Sequence, residues 1–308
     1  MSTIIITGGT GLTGKVLTKM LVEQGHQIII LTRNPKQHSN QPNVRFAYWD
    51  YTINKIDTDA LQEADHIIHL AGAGVVDKPW TIEYRKLIAD SRIQTIALLR
   101  NSLSKISHKV KSFVSASAIG WYGEDSNPIV PFTENEPADT GFLGATCLAW
   151  EHEAATLEQL GIRVCIFRVG IVLARDGGAY AEMAKMPRLG IAAYLGNGKQ
   201  MVSWIHINDL CRIYQFGVEN KQLKGIYNAV APHPVSNQTL IETIAKVYHP
   251  RFHISMPVPS FILKIMLGSR SIEVLKSTTV TAEKIQKAGF QFQYDNIAEA
   301  VQEIALKH

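Results

Sequence analysis

Along the first half of the chain, short apolar runs rich in Ile and Val alternate with longer stretches whose apolar residues recur every three to four positions. Thr3 to Thr7, Gln27 to Thr32, Val44 to Ala47, His66 to Leu70, Ser112 to Ala116 and Arg163 to Arg168 read as strands of a sheet covered on both faces. The stretches between them predict helices over Leu12 to Gln24, ending near Gly25, and over Asp57 to Ala64, Ile82 to Leu103 and Leu143 to Leu160. This β-α-β-α-β order belongs to an α/β fold with a doubly wound parallel (Rossmann) sheet, in which ligands bind beyond the carboxyl ends of the strands. After about Ala174 the rhythm gives way to glycine-bearing loops and proline-rich turns: DGGAY, GNGKQ, APHPVSN and MPVPSF. We therefore expect a dinucleotide-binding Rossmann domain over 1–174 and a smaller, mostly substrate-binding lobe over 175–308, with strands near Val202 to Ile207 and Gly225 to Asn228 returning to the main sheet from 202–230.

Composition narrows the partners. With 308 residues, 46% of them hydrophobic and 19% charged, the chain can bury a large core. A net charge of +4, spread along the chain, does not call for nucleic acid. The three cysteines, Cys147, Cys165 and Cys211, show no CxxC pair or metal-like spacing, so neither disulfides nor a metal are expected and a reducing compartment is. MSTIIIT enters a strand without the features of an export signal, and PSFILKIMLG, broken by Lys264, is too short for the ~20 apolar residues of a membrane span. A cytoplasmic protein without membrane contact is the expectation, with PSFILKIMLG as a buried helix or pocket wall.

ITGGTGLTG, at residues 6 to 14, puts Gly8, Gly11 and Gly14 between the first strand and the first helix. In that context glycines permit a tight turn, let backbone N–H groups approach a pyrophosphate, and bring helix and strand together, with the anion at the helix N-terminus. Thr10 and Leu12 belong to the same loop. At the end of the second strand, where NAD-selective folds keep an acid, the chain reads LTRNPK, with Arg33 and Lys36 instead. A charged hydrogen bond from Arg33 to a 2′-phosphate, worth roughly 1.5–3 kcal/mol, would favour NADP(H) over NAD(H) by about 10- to 150-fold. A solvated turn residue is the other reading of Arg33.

TGGTGLTG, HLAGAG at 69 to 74, SASAIGWYG at 115 to 123 and WIHINDL at 204 to 210 resemble the extended short-chain dehydrogenase/reductase superfamily. More narrowly, Trp80, Arg85 and Ser91-Arg92 in WTIEYRKLIADSR, DGGA at 176 to 179 and NAVAPHPVSN at 228 to 237 resemble its atypical epimerase family, which includes the human short-chain dehydrogenase/reductase family 39U member. The resemblance spans essentially the whole chain. It implies that Gly8, Gly11 and Gly14 hold the pyrophosphate and Arg33 the 2′-phosphate. Leu70, Ala71 and Gly72 would line the path to the nicotinamide, Asp50 would reach the adenine, and Arg92 would join the cofactor contacts. Packing at Ala71 and Gly72 and turn-capping by Asp50 are the structural alternatives.

One departure concerns chemistry. The superfamily's Tyr-x-x-x-Lys pair, in which the lysine lowers the tyrosine pKa for proton transfer, falls here on Leu143 and Cys147. Leucine carries no proton and a thiol cannot replace an ammonium. Ser117 and Tyr122 are then the candidates for stabilising a substrate oxygen, with Cys147 and His206 nearby. The bland readings are a strand-end hydrogen bond for Ser117, packing for Tyr122 and Cys147, and a structural pair with Asp209 for His206. Arg85 and Arg92 are seven apart on one helix face and, with Arg168, suit an anionic substrate or a salt-bridged surface equally. Trp80, Trp204 and MPVPSF could wall a pocket. The expected function is an NADP(H)-binding oxidoreductase or epimerase acting on a small carbonyl or hydroxyl compound, with an anion as one candidate. The competing reading is a cofactor-binding sensor without turnover; a second copy of the chain is the candidate macromolecular partner.

Overall fold

The computed structural model describes residues 1–268 and 275–306. The strands are β1 (Thr3–Thr7), β2 (Gln27–Thr32), β3 (Val44–Asp50), β4 (Lys55–Ile56), β5 (His66–His69), β6 (Ser112–Ala118), β7 (Arg163–Val169), β8 (Ile171–Leu173), β9 (Ile191–Leu195), β10 (Met201–Val202), β11 (Trp204–His206), β12 (Gly225–Ala229), β13 (Val235–Ser236) and β14 (Ile254–Val258). The main helices are α1 (Leu12–Glu23), α2 (Thr58–Glu63), α3 (Ile82–Leu103), α4 (Phe142–Ala155), α5 (Gly178–Met183), α6 (Ile207–Glu219), α7 (Asn237–Tyr248) and α8 (Ser260–Leu267). Local chemistry starts several of them: Asp57 caps α2 by accepting from Ala60 N, Thr81 caps α3 by accepting from Tyr84 N, and Ser236 caps α7 by accepting from Thr239 N.

Eight strands form one sheet in the order β12-β7-β6-β5-β1-β2-β3-β4, parallel except for the β3–β4 edge. From β1 the chain winds outward through β2 and β3, then crosses to β5 and winds the other way. The switch point therefore lies between β1 and β5, where a crevice must open at the strand ends. Alternation separates two cores: Ile4, Ile6, Ile28 and Ile30 pack on the α1 and α6 side, and Ile5, Ile29, Leu31 and Ile67 on the α3 and α4 side. The lobe has its own core, which includes Leu173, Tyr180, Trp204, Leu240, Ile244 and Val301.

Two expectations are corrected. Gly225–Ala229 joins the main sheet beside β7, but β10 and β11 do not; β10 pairs with β13 and β11 with β8. At Gly170, between β7 and β8, a Cβ would lie 2.5 Å from Ser203 O, so the chain leading into β11 passes close to the backbone where β7 gives way to β8. PSFILKIMLG does form a helix, but it is only partly buried: Leu263 is covered while Phe261 and Ile265 are exposed. No described helix is long and apolar enough to cross a membrane.

Candidate nucleotide site and the polar network beside it

The glycine turn is built by close backbone contacts. Gly8 has φ +69°, and a Cβ there would meet the Leu70 carbonyl at 2.9 Å; a Cβ on Gly14 would lie 2.3 Å from Gly8 O and 2.5 Å from Gly9 Cα. Gly14 thus acts by seating α1 against the turn, not by lining the cavity. Gly11, the N-cap, has no side chain to offer the first helical N–H groups, and no acid stands in that turn. The positive end of α1 is left to an anion.

Beside this turn lies a groove of about 470 Å³ lined by Gly8, Thr10, Gly11, Arg33, Asp50, Leu70, Ala71 and Gly72 among others. Eight sequence-predicted cofactor residues therefore converge on one cavity at the switch point. Arg33 is exposed, at the end of β2, with no hydrogen bond or ion pair among the described residues. Asp50 caps a turn, accepting from Thr52 N and Thr52 Oγ1 at 2.9 and 2.7 Å, while still facing the groove. Leu12 departs from expectation: its side chain lines a separate groove of about 950 Å³ between α1, α6 and the C-terminal helix Ile297–Leu306. Arg92 holds its own loop, donating to Ala73 O and Ile88 O at 3.0 and 2.9 Å and stacking on Trp150.

Beneath the groove a chain of hydrogen bonds was not read from the sequence. Leu70 N and Ala71 N both donate to Thr7 Oγ1, which must then donate to His69 Nδ1 at 2.8 Å. His69 is consequently the Nε2–H tautomer, facing Thr95 Oγ1 at 3.3 Å. Burial holds its pKa down to about 3, reinforced by the charge of Arg92, so the ring stays neutral and fixes the strand end that floors the groove. A histidine inside an apolar strand run was the available signal.

At the far end of the crevice, the position that would carry a catalytic tyrosine is Leu143, whose Cβ stands 3.3 Å from where Gly120 would place one. Cys147 is buried beside it, donating to Ala118 O at 3.7 Å, and burial raises the thiol pKa to about 11. The expected Ser117–Tyr122 pair is corrected. Tyr122 is 0% exposed; its hydroxyl donates to Asn228 Oδ1 at 2.6 Å and accepts from Arg168 Nη1 at 3.0 Å. Burial pushes its pKa up to about 12, against the opposing pull of Arg168. Ser117 Oγ donates to Glu151 Oε1 at 2.6 Å. Both hydroxyls serve an interior network rather than an open face.

That network centres on Arg168, 1% exposed, which is paired through Nε and Nη2 with both oxygens of Glu151 at 2.8 and 2.9 Å. The guanidinium carbon lies 3.6 Å from the Trp121 ring centroid. Arg168 is therefore an internal tie and not an anion site. Ser117, Arg168 and Asn228 stand in register across β6, β7 and β12, so the network binds three strand ends, α4 and the Tyr122 loop. Glu151, in the CLAWE run, and Asn228, in NAVAPHPVSN, carried this role unrecognised in the sequence.

Among the expected pocket residues, Trp80 and Arg85 come together: the guanidinium of Arg85 lies 5.6 Å from the Trp80 ring and 5.3 Å from Phe142. Trp204 and His206 do not belong there. Trp204 is 0% exposed in the lobe core, its Nε1–H donating to His233 O. His206 caps α6, accepting from Asn208 N, stacks on Tyr294 and faces Glu303 at 2.9 Å instead of Asp209. No group of three or more described His, Cys, Asp or Glu residues is placed to hold a metal.

Comparison with known proteins matches this fold. A family model described as "NAD dependent epimerase/dehydratase family" matches residues 4–229, and a second, "Domain of unknown function (DUF1731)", matches residues 258–304. The chain is 35% identical to the epimerase family protein SH2119 of Staphylococcus haemolyticus, over 99% of each chain. It is 33% identical to the epimerase family protein YfhF of Bacillus subtilis, over 98% of this chain and 97% of that one. The crystal structure of human epimerase family protein SDR39U1 (isoform 2) with NADPH superposes with a TM-score of 0.85 and 27% identity, covering 98% of this chain and 99% of the other. On these matches, over a Rossmann sheet with its glycine turn at the switch point, the chain belongs to the NAD dependent epimerase/dehydratase family.

Proposed function

We propose that the protein binds NADP(H) in the groove between β1, β2 and β5 and exchanges hydride with a small carbonyl or hydroxyl compound. The observation that carries this reading is the convergence of the glycine turn, the uncapped start of α1 and the unpaired Arg33 on one cavity. These residues fit a dinucleotide: Gly8 and Gly11 line the groove without side chains, and the N–H groups of α1 suit a pyrophosphate. Arg33 would take the 2′-phosphate. When bound, the nicotinamide supplies or accepts the hydride. This chain's own residues hold and orient it: Thr7 and His69 fix the Leu70–Ala71 floor, and Gly14 keeps α1 against the turn. The solved human relative with NADPH supports the cofactor assignment.

A second reading, an NADP(H)-binding protein without turnover, is favoured by one arrangement. Leu143 and Cys147 carry no usable proton, and the hydroxyls of Ser117 and Tyr122 are both engaged internally. Calorimetric titration with NADPH and NADH tests the shared premise. The NADP(H) reading expects tighter binding of NADPH, with the preference lost in Arg33→Ala, and equal affinities in the unaltered chain overturn it. A screen for compounds that oxidise bound NADPH, followed by absorbance, then separates enzyme from sensor.

A further inference from the structure

We propose that Arg85 anchors a carboxylate of the substrate at the mouth of the NADP(H) site; this rests on the preceding reading and adds the chemical class of the substrate. Arg85 lies on the first turns of α3. Its guanidinium carbon is 5.6 Å from the Trp80 ring centroid and 5.3 Å from that of Phe142, and those rings meet edge to face at 5.2 Å. Trp80 is itself fixed by its Nε1–H donating to Val75 O at 2.8 Å. Aromatic contact positions a guanidinium while leaving its in-plane N–H groups for an acceptor.

Among the described residues nothing takes those N–H groups: Arg85 is exposed and forms no hydrogen bond or ion pair. The other long cations of α3 are satisfied. Lys86 pairs with Asp90, Arg92 donates to Ala73 O and Ile88 O, and Arg100 lies 3.3 Å from Glu153. Phe142 directly precedes Leu143, which faces Gly120. Through Phe142, Arg85 meets the first turn of α4, the helix on which the wider superfamily keeps its proton-transferring tyrosine, while Leu87, two residues on in α3, lines the nucleotide groove.

The class follows from charge and shape. One unpaired cation matches a monoanion, and a planar fork matches the two oxygens of a carboxylate. A phosphate dianion would need a second cation: Arg92 is already tied to carbonyls, and Lys78 lies over the Tyr84 ring, 6.0 Å from its centroid.

The test uses the full chain saturated with NADPH, titrated with sodium benzoate or with inorganic phosphate at constant ionic strength, and followed by tryptophan fluorescence. Benzoate is expected to bind saturably and more tightly than phosphate. Arg85→Gln should weaken benzoate by about 10- to 150-fold, and Arg85→Lys, which keeps the charge but loses the fork, should fall between. Unaltered benzoate affinity in Arg85→Gln, tighter binding of phosphate, or no saturable benzoate binding would each overturn the proposal. NADPH affinity measured on the same proteins keeps the two readings apart. Failure to bind NADPH sinks the nucleotide site and this inference with it, whereas normal NADPH binding without benzoate binding sinks only the carboxylate.

Discussion

Replacing Tyr122 by Phe separates a structural hydroxyl from a chemical one. The phenol gives its proton to Asn228 Oδ1 at 2.6 Å and receives one from Arg168 Nη1 at 3.0 Å, with no exposure to solvent. Phe fills nearly the same volume, so packing is kept while a buried amide oxygen and a buried guanidinium each lose a partner. Each stranded group costs about 1–3 kcal/mol, giving about 2–6 kcal/mol for the pair. Glu151→Gln strips the charge that neutralises Arg168 and should cost about 3–5 kcal/mol, as other broken buried ion pairs do. For a chain of this size, with an m-value of about 3 kcal/mol/M, these losses lower the urea midpoint by about 0.7–2 M and 1–1.7 M respectively. Circular dichroism at graded urea, with NADPH titration on each folded variant, reads both quantities. Stability should fall while NADPH affinity holds. If Tyr122→Phe unfolds at the same urea concentration as the parent but no longer exchanges hydride with an identified compound, the phenol is chemical and the network account is wrong.

Three further outcomes follow from the same geometry. Gly14→Ala forces a methyl to 2.3 Å from Gly8 O, a backbone atom that cannot swing aside, so it should cost about 1–3 kcal/mol and abolish NADPH binding by calorimetry. Gly25→Ala, at φ +83° with open space around it, should cost about 1–2 kcal/mol and leave binding intact; equal behaviour of the two would refute the cradle. His69 is held near 3 when folded against 6.5 in its ordinary state, so the unfolded chain binds the extra proton and stability falls as pH drops below 6.5. His69 contributes a slope of about 1.4 kcal/mol per pH unit; His66, which burial holds down to about 4, adds to the same limb, so His69→Gln should lower that slope of a urea-midpoint series without removing it. Cys147, Cys165 and Cys211 are buried with thiol pKa values raised to about 11, 11 and 12, so iodoacetamide should label none of them at pH 8 until urea unfolds the chain; labelling of the native protein would contradict the burial.

The sequence alone determined what is local. Alternating period placed β1, β2, β5 and β7 and fixed α3 at Ile82–Leu103, and glycines between a strand and a helix announced the turn that Gly8 and Gly14 build. That Arg33 follows the second strand was likewise legible, because the strand run ends at Thr32. What the tertiary structure alone decided is where long-range pairings close. Tyr122 and Asn228 are separated by 106 residues, Ser117 and Glu151 by 34, and His206 and Glu303 by 97. A hydroxyl after β6 looks the same in sequence whether it meets a substrate or a buried carboxylate. Its partner is set by which strands lie side by side, and strand order is a property of the folded sheet that no local period encodes.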